Sequence, residues 1–276
     1  MKWLHFILSH SIFVAVCAAG LVLQTGQLLR ISIPVPLYGL VFFATLCSYN
    51  FYWTISRFAF TSPLPLRSFI RKEKTGLSIM FIALAGLLLC FPASGVSPFY
   101  LAMAVLLTLL YAVPLLPVKA LHVARKAGVL KTTLLAFTWA YVTAFLPLQK
   151  EWTLLSGPDI FILTRRFLFM LMLCIIFDNR DKAMDKIRGL HSLATVLKPG
   201  QMLLLIVGIF FVLFGTNFLS VSYGISMRQS IALQTSTIAL LVVYFLSTRQ
   251  QGYLFYYFVV DGLMLFSALT TFVAGI

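Results

Sequence analysis

Only seven of the 276 residues are acidic, and charged residues of both signs make up just 10% of the chain. Soluble domains carry about 25%, so a water-facing surface cannot be built from this composition, and a soluble fold is excluded. Cysteine is scarce as well. Cys17, Cys47, Cys90 and Cys174 all fall in apolar runs and form no CxxC pair, which excludes both a disulfide framework and a thiolate metal site. No GxGxxG, P-loop, HExxH or GxSxG pattern stands in a context that would support it, so the usual soluble-enzyme chemistries have no foothold.

What the chain has in abundance is apolar length. Hydrophobic residues make up 61% of it, and mean hydropathy is +0.99. Runs long enough for a helix to cross a hydrocarbon core of about 30 Å lie at 4–24, 35–56, 77–96, 99–117, 132–148, 159–177, 202–219, 229–247 and 253–275. This predicts an all-α integral membrane protein, a bundle of nine transmembrane helices forming one polytopic domain over residues 1–276. A transmembrane barrel is excluded, because its strands are about ten residues long and alternate polar with apolar. Prolines near segment ends, such as Pro34, Pro36, Pro147 and Pro158, fit helices that stop there. The start, MKWLHFILSHSIFVAVCAAG, has the outline of a signal peptide, but its apolar run continues to Leu23 without a cleavage signal, so a retained first helix is expected.

The net charge of +14 follows from topology rather than from nucleic acid. With nine spans, 16 of the 21 cations share the N-terminal side, three lie opposite, and Arg165 and Arg166 lie within a span. The positive-inside rule then places the N-terminus in the cytoplasm and the C-terminus across a bacterial plasma membrane. Acidic residues contribute little to that rule. It leaves unexplained why three of the seven acids crowd into residues 178–185, within FDNRDKAMDKIRG.

If the sixth helix continues past Phe177, Asp178, Asp181 and Asp185 share one face. Like charges so close repel unless cations neutralise them, either the interleaved Arg180, Lys182, Lys186 and Arg188 or a bound metal. Two readings fit this spacing. One is a solvated helix end laced with salt bridges. The other is a hard-ion site, since oxygen-only ligands suit Mg²⁺, which takes one or two carboxylates while substrate phosphates complete its shell.

The stretch FDNRDKAMDKIRGLHSLATVL resembles the second aspartate-rich motif of the UbiA superfamily of intramembrane prenyltransferases, DxxDxxxD followed by a basic residue and a glycine. Nine spans, the motif's place after the sixth, and YAVPLLPVK ending the fourth are similar to that family too. The resemblance implies a UbiA-like bundle around a central apolar cavity. It also implies that Asp178, Asp181 and Asp185 are catalytic, holding Mg²⁺ and the diphosphate of a prenyl donor. The family's first motif, NDxxDxxxD at the end of the second helix, aligns with NFYWTISRF, where Asn50 remains and Phe51, Thr54 and Phe58 replace the aspartates. That departure implies a reduced metal requirement.

Asn50, Thr54 and Arg57 follow i, i+4, i+7 spacing, so they are expected to face Asp178, with Arg57 binding phosphate oxygens. A helix-end arginine reaching for the interface is the plainer reading. Tyr111, Lys119, Arg180 and Lys182 complete the expected substrate contacts. Arg165, Arg166 and Asp261 are costly inside a membrane and are expected to pair as a buried structural ion pair. Tyr49, Tyr52 and Trp53, beside Asn50, are candidates for an aromatic wall that steadies a developing cation.

Two functions remain open on sequence. The first is transfer of a prenyl group from its diphosphate to a lipid-soluble acceptor, drawing on membrane lipids laterally and needing no obligate protein partner. The second is a descendant that has lost transfer chemistry and binds or transports lipid. A phosphotransferase of the CDP-alcohol type would need DGxxAR, which is absent.

Overall fold

The computed structural model describes residues 2–60, 66–112, 128–187 and 192–276. Among these the regular structure is helical throughout. The helices are α1 (Lys2–Ser9), α2 (Ile12–Leu29), α3 (Val35–Phe60), α4 (Leu66–Lys72), α5 (Lys74–Cys90), α6 (Pro98–Ala112) and α7 (Gly128–Ala140). They are followed by α8 (Gly157–Ile187), α9 (Leu193–Val196), α10 (Pro199–Leu219), α11 (Met227–Ser247) and α12 (Asp261–Val273). Six helices among the described residues are long and apolar enough to cross a membrane, and α5 and α6 are shorter apolar helices. The chain is a multi-pass membrane protein.

Neighbouring helices pack in the order α5, α3, α2, α12, α11, α10, α8, α7, α6. The side chains of Leu21, Phe169, Leu173 and Ile176 lie in the core where α2 and α8 meet the rest. Direction follows from contacts. Tyr256, just before α12, meets Phe177, whereas Ser267 and Thr271 on α12 take hydrogen bonds from Gln24, which in turn accepts one from Arg166. Helices α8 and α12 therefore run antiparallel, and the aspartates lie at one end of the bundle.

Three departures from regular helix matter. The expected first span is broken at Ser11, whose φ of 61° is left-handed and separates α1 from α2. Such a break frees a carbonyl that must find a partner away from water. Asn50 Nδ2 supplies it, donating to His10 O at 3.1 Å and to Leu46 O at 2.8 Å. A π-helical turn at Tyr141–Phe145 follows α7, and another at Phe255–Val260 precedes α12. Such turns re-aim the side chains beside them, here Thr143 and Asp261.

Candidate functional site

Asp178, Asp181 and Asp185 lie on the last three turns of α8, which continues to Ile187 as expected. Asp178 accepts a hydrogen bond from Thr132 Oγ1 at the start of α7. Asp181 is held by its neighbour: Arg180 Nε and Nη2 donate to its two oxygens at 2.7 and 2.8 Å. Asp185 is buried. Lys131 sits opposite, its ammonium within the field of all three carboxylates and 5.8 Å from the centre of the Tyr111 ring. Tyr52 stacks on Tyr111 with 5.2 Å between ring centres, and Tyr49 meets Trp139 edge-on at 6.2 Å. The face of α3 turned toward the aspartates is thus aromatic.

Asn50, Thr54 and Arg57 do not face Asp178. They line a cavity of about 250 Å³ with Ser9, His10, Trp53, Lys72, Glu73, Thr75 and Gly76, and no residue of α8 borders it. Arg57 is committed to an ion pair with Glu73 across that cavity. The reason is rotational, because each residue turns a helical side chain by about 100°. Tyr49 and Tyr52 look toward the aspartates, so a set registered on Asn50 looks toward α1 and α5 instead.

The expected pairing of Asp261 with Arg165 or Arg166 does not form among the described residues. Arg166 donates to Leu21 O, Gln24 Oε1, Thr25 Oγ1 and Thr143 Oγ1 at 2.9 to 3.3 Å. Arg165 Nε donates to Asn217 Oδ1 at 2.8 Å. Depth explains the failure. Through Gln24, Arg166 is level with Ser267 and Thr271, about 9 to 15 Å along α12 from Asp261 at 1.5 Å per residue. Side chains also lean toward the N-terminus of their own helix, so on antiparallel helices the arginines and Asp261 lean apart. Asp261 instead follows by four residues Tyr257, whose ring centre lies 5.1 Å from the Arg180 guanidinium.

Arg180 itself lies against rings rather than in the open, with its guanidinium 4.9, 5.1 and 5.3 Å from the centres of Phe177, Tyr257 and Tyr256. Lys182 is half-buried on the same stretch, and Lys119 lies outside the described residues. The expected central cavity does not coincide with either of two cavities that are defined. One is the space beside Asn50, and the other, of about 60 Å³, lies among Gly95, Tyr100, Phe145 and Gln149. Sequence reasoning passed over Lys131 and Thr132, although a Lys-Thr pair opening an apolar run is a visible signal.

A structure of a UbiA homolog from Aeropyrum pernix K1, in its apo form, matches 97% of this chain and 97% of its own, with a TM-score of 0.57 and 15% sequence identity. The fold is UbiA-like. No family model matches the sequence, and no curated protein does. At this identity the UbiA-like architecture is shared, while the chemistry must be argued from the side chains present. Among the described residues no three His, Cys, Asp or Glu groups come together as a ready-made metal site. The aspartates still suit Mg²⁺, because each carboxylate offers about four lone-pair positions, and Asp178 shows one hydrogen bond while Asp181 shows two. An ion held by one or two of them would draw its remaining ligands from a bound phosphate group or water.

Proposed function

We propose that the chain is a membrane prenyltransferase that moves a prenyl group from a prenyl diphosphate to a lipid-soluble acceptor. The observation that carries this reading is the juxtaposition, in a UbiA-like fold, of Asp178, Asp181 and Asp185 with Lys131 and the ring surfaces of Tyr52 and Tyr111. In the reaction the prenyl C–O bond breaks and its electron pair leaves with diphosphate. The acceptor then bonds to the allylic carbon and releases a proton. Lys131 would neutralise diphosphate oxygens, and the rings would steady the allylic cation through their faces. Asp178, Asp181 and Asp185 would hold Mg²⁺, which supplies Lewis-acid activation of the leaving group when bound. The distribution of cations favours an orientation with this end in the cytoplasm.

A second reading has one observation of its own. Helix α3 carries no carboxylate, and where its Tyr49 and Tyr52 meet Trp139 and Tyr111 it offers rings instead, which favours a protein that binds a prenyl lipid without transferring it.

Binding of geranylgeranyl diphosphate to the purified chain, with and without Mg²⁺, tests the proposal, with Asp181→Ala as the comparison. We expect Mg²⁺ to strengthen binding and the substitution to weaken it at least tenfold. Binding that ignores both would overturn the metal-dependent reading. Binding with no turnover across a panel of phenolic and alcohol acceptors would leave the second reading standing.

A further inference from the structure

The cavity of about 250 Å³ between the end of α1, α3 and the start of α5 takes no part in the transfer reading, because no residue of α8 borders it. It lies at the aspartate end of the bundle all the same. His5 on α1 stacks on Tyr253 at 5.4 Å, Tyr253 on Tyr257 at 4.4 Å, and the Tyr257 ring centre is 5.1 Å from the Arg180 guanidinium. Its rim is wet, since Lys72 and Thr75 are exposed.

The walls hold an acceptor and a set of donors that the chain itself leaves unused. Asn50 is 5% exposed and spends Nδ2 on His10 O and Leu46 O, while no donor among the described residues reaches its Oδ1. That oxygen is turned to Gly76, 4.0 Å from where a Cβ there would sit. On the opposite wall, the Glu73 side chain makes no cap bond to α5, and the first backbone bond of that helix runs from Leu77 N to Glu73 O. The N–H groups of Thr75 and Gly76 are therefore left over in the cavity wall, at the positive end of a 17-residue helix. Lys72 lines the same space, and no carboxylate among the described residues pairs with it.

Charge and size then select the occupant. Arg57 and Glu73 cancel in their ion pair, so Lys72 and the helix end leave the site positive, which suits an anion. The anion must also carry a donor for Asn50 Oδ1. A phosphodiester bearing a hydroxyl meets both demands, whereas phosphocholine, net neutral and without a hydroxyl, fails them. A volume of about 250 Å³ exceeds the roughly 30 Å³ share of one water and falls short of the about 300 to 1,000 Å³ that enclose a whole drug-sized ligand. It is the size of a headgroup. Apolar surface for acyl chains adjoins it: Leu46 and Ala83 belong to an apolar cluster one to two turns deeper, and Ile7 on α1 and Phe81 on α5 are exposed.

We propose that this cavity binds the headgroup of an anionic phospholipid whose phosphodiester carries a hydroxyl, as in phosphatidylglycerol. Phosphate oxygens take Lys72 and the Thr75 and Gly76 N–H groups, and a headgroup hydroxyl donates to Asn50 Oδ1. The site does not depend on the transfer reading.

The test titrates phosphatidylglycerol, phosphatidylmethanol and phosphatidylcholine, each with two octanoyl chains, into the full chain in neutral detergent. Tryptophan fluorescence follows binding, since Trp53 lines the cavity. Phosphatidylglycerol is expected to bind on the order of tenfold more tightly than phosphatidylcholine. Against phosphatidylmethanol, which keeps the charge and lacks the hydroxyl, the expected margin is about three- to tenfold, the worth of one hydrogen bond. Lys72→Gln is expected to remove most of the first preference. Gly76→Ala sets a methyl group against Asn50 Oδ1 and favours helix, so it is expected to remove the second without loss of stability. Equal binding of phosphatidylglycerol and phosphatidylcholine to the unaltered chain would overturn the site and leave the cavity to water. Equal binding of phosphatidylglycerol and phosphatidylmethanol would overturn the hydroxyl contact, and a preference over phosphatidylcholine that survives in folded Lys72→Gln protein would overturn the anion contact. Glycerophosphoglycerol, the same headgroup without chains, is expected to compete weakly; competition as strong as the lipid's would overturn the lipid in favour of a free phosphate ester. Displacement of phosphatidylglycerol by geranylgeranyl diphosphate would put both in one site and overturn the separation from the aspartates, whereas failure of the diphosphate to bind at all removes the prenyltransferase and keeps the lipid site.

Discussion

Helix α8 carries ionisable groups at both ends of its buried length, and the two ends treat them differently. Around Arg165 and Arg166 the partners shown are neutral oxygens: a main-chain carbonyl of α2, the side chains of Gln24 and Thr25, Thr143 on the π-helical turn, and Asn217 on α10. Around the aspartates the accounting is open. Three carboxylates share one face, and the hydrogen bonds shown for Asp178 and Asp181 leave lone-pair positions open on both. Buried polar groups that are fully satisfied knit a structure together, whereas those left over mark where something else binds. The arginine end therefore reads as the frame and the aspartate end as the site, though both look equally anomalous in a hydropathy plot.

The largest effect that would break this contrast is predicted for Arg166→Leu. The substitution leaves Gln24 Oε1 without its donor and takes one hydrogen bond each from Leu21 O, Thr25 and Thr143 in a water-free interior, and a buried group so orphaned costs about 1 to 3 kcal/mol. A loss on the order of 3 kcal/mol is expected, seen as a clear drop in thermal unfolding temperature in detergent, while the folded fraction still binds prenyl diphosphate. Were unfolding unchanged and diphosphate binding lost, the arginine end would belong to the site.

Asp178→Asn should behave in the opposite way. Removing one of three like charges relieves repulsion, and an amide can still accept from Thr132. Thermal stability is therefore expected to hold or rise slightly, while Mg²⁺-dependent diphosphate binding falls about tenfold, the size of one lost charge-assisted contact of roughly 1.4 kcal/mol. A stability loss as large as that of Arg166→Leu would make Asp178 part of the frame.

Legibility in the sequence divides along the same line. Apolar runs, the helical register of Asp178, Asp181 and Asp185 and the UbiA-like architecture were all readable, because length, hydropathy and i, i+3, i+4 spacing are local properties. Facing was not. Whether α3 shows Tyr49 or Asn50 to α8 depends on a rotation of about 100°, which packing against α5 and α2 decides and no single helix encodes. The pairing of Asp261 with Arg165 or Arg166 failed for a related reason: depth along a span is a residue count, and the π-helical turn at Phe255–Val260 changes what that count means.

The smallest predicted effect sharpens that point. Arg57 keeps the spacing that suggested phosphate binding, yet it reaches Glu73 across a cavity that α8 does not border. Its side chain is 53% exposed, so solvent screens the pair, and exposed ion pairs contribute about 0 to 1 kcal/mol. Glu73 is buried and would lose a partner, which sets the expectation for Arg57→Ala at the upper end of that range, with diphosphate affinity unchanged within twofold. Measuring both on one preparation distinguishes the two faces of α3. A stability change with intact binding keeps Arg57 on the α1 and α5 side; a tenfold loss of binding would mean that α3 turns its Asn50 face inward when ligand arrives.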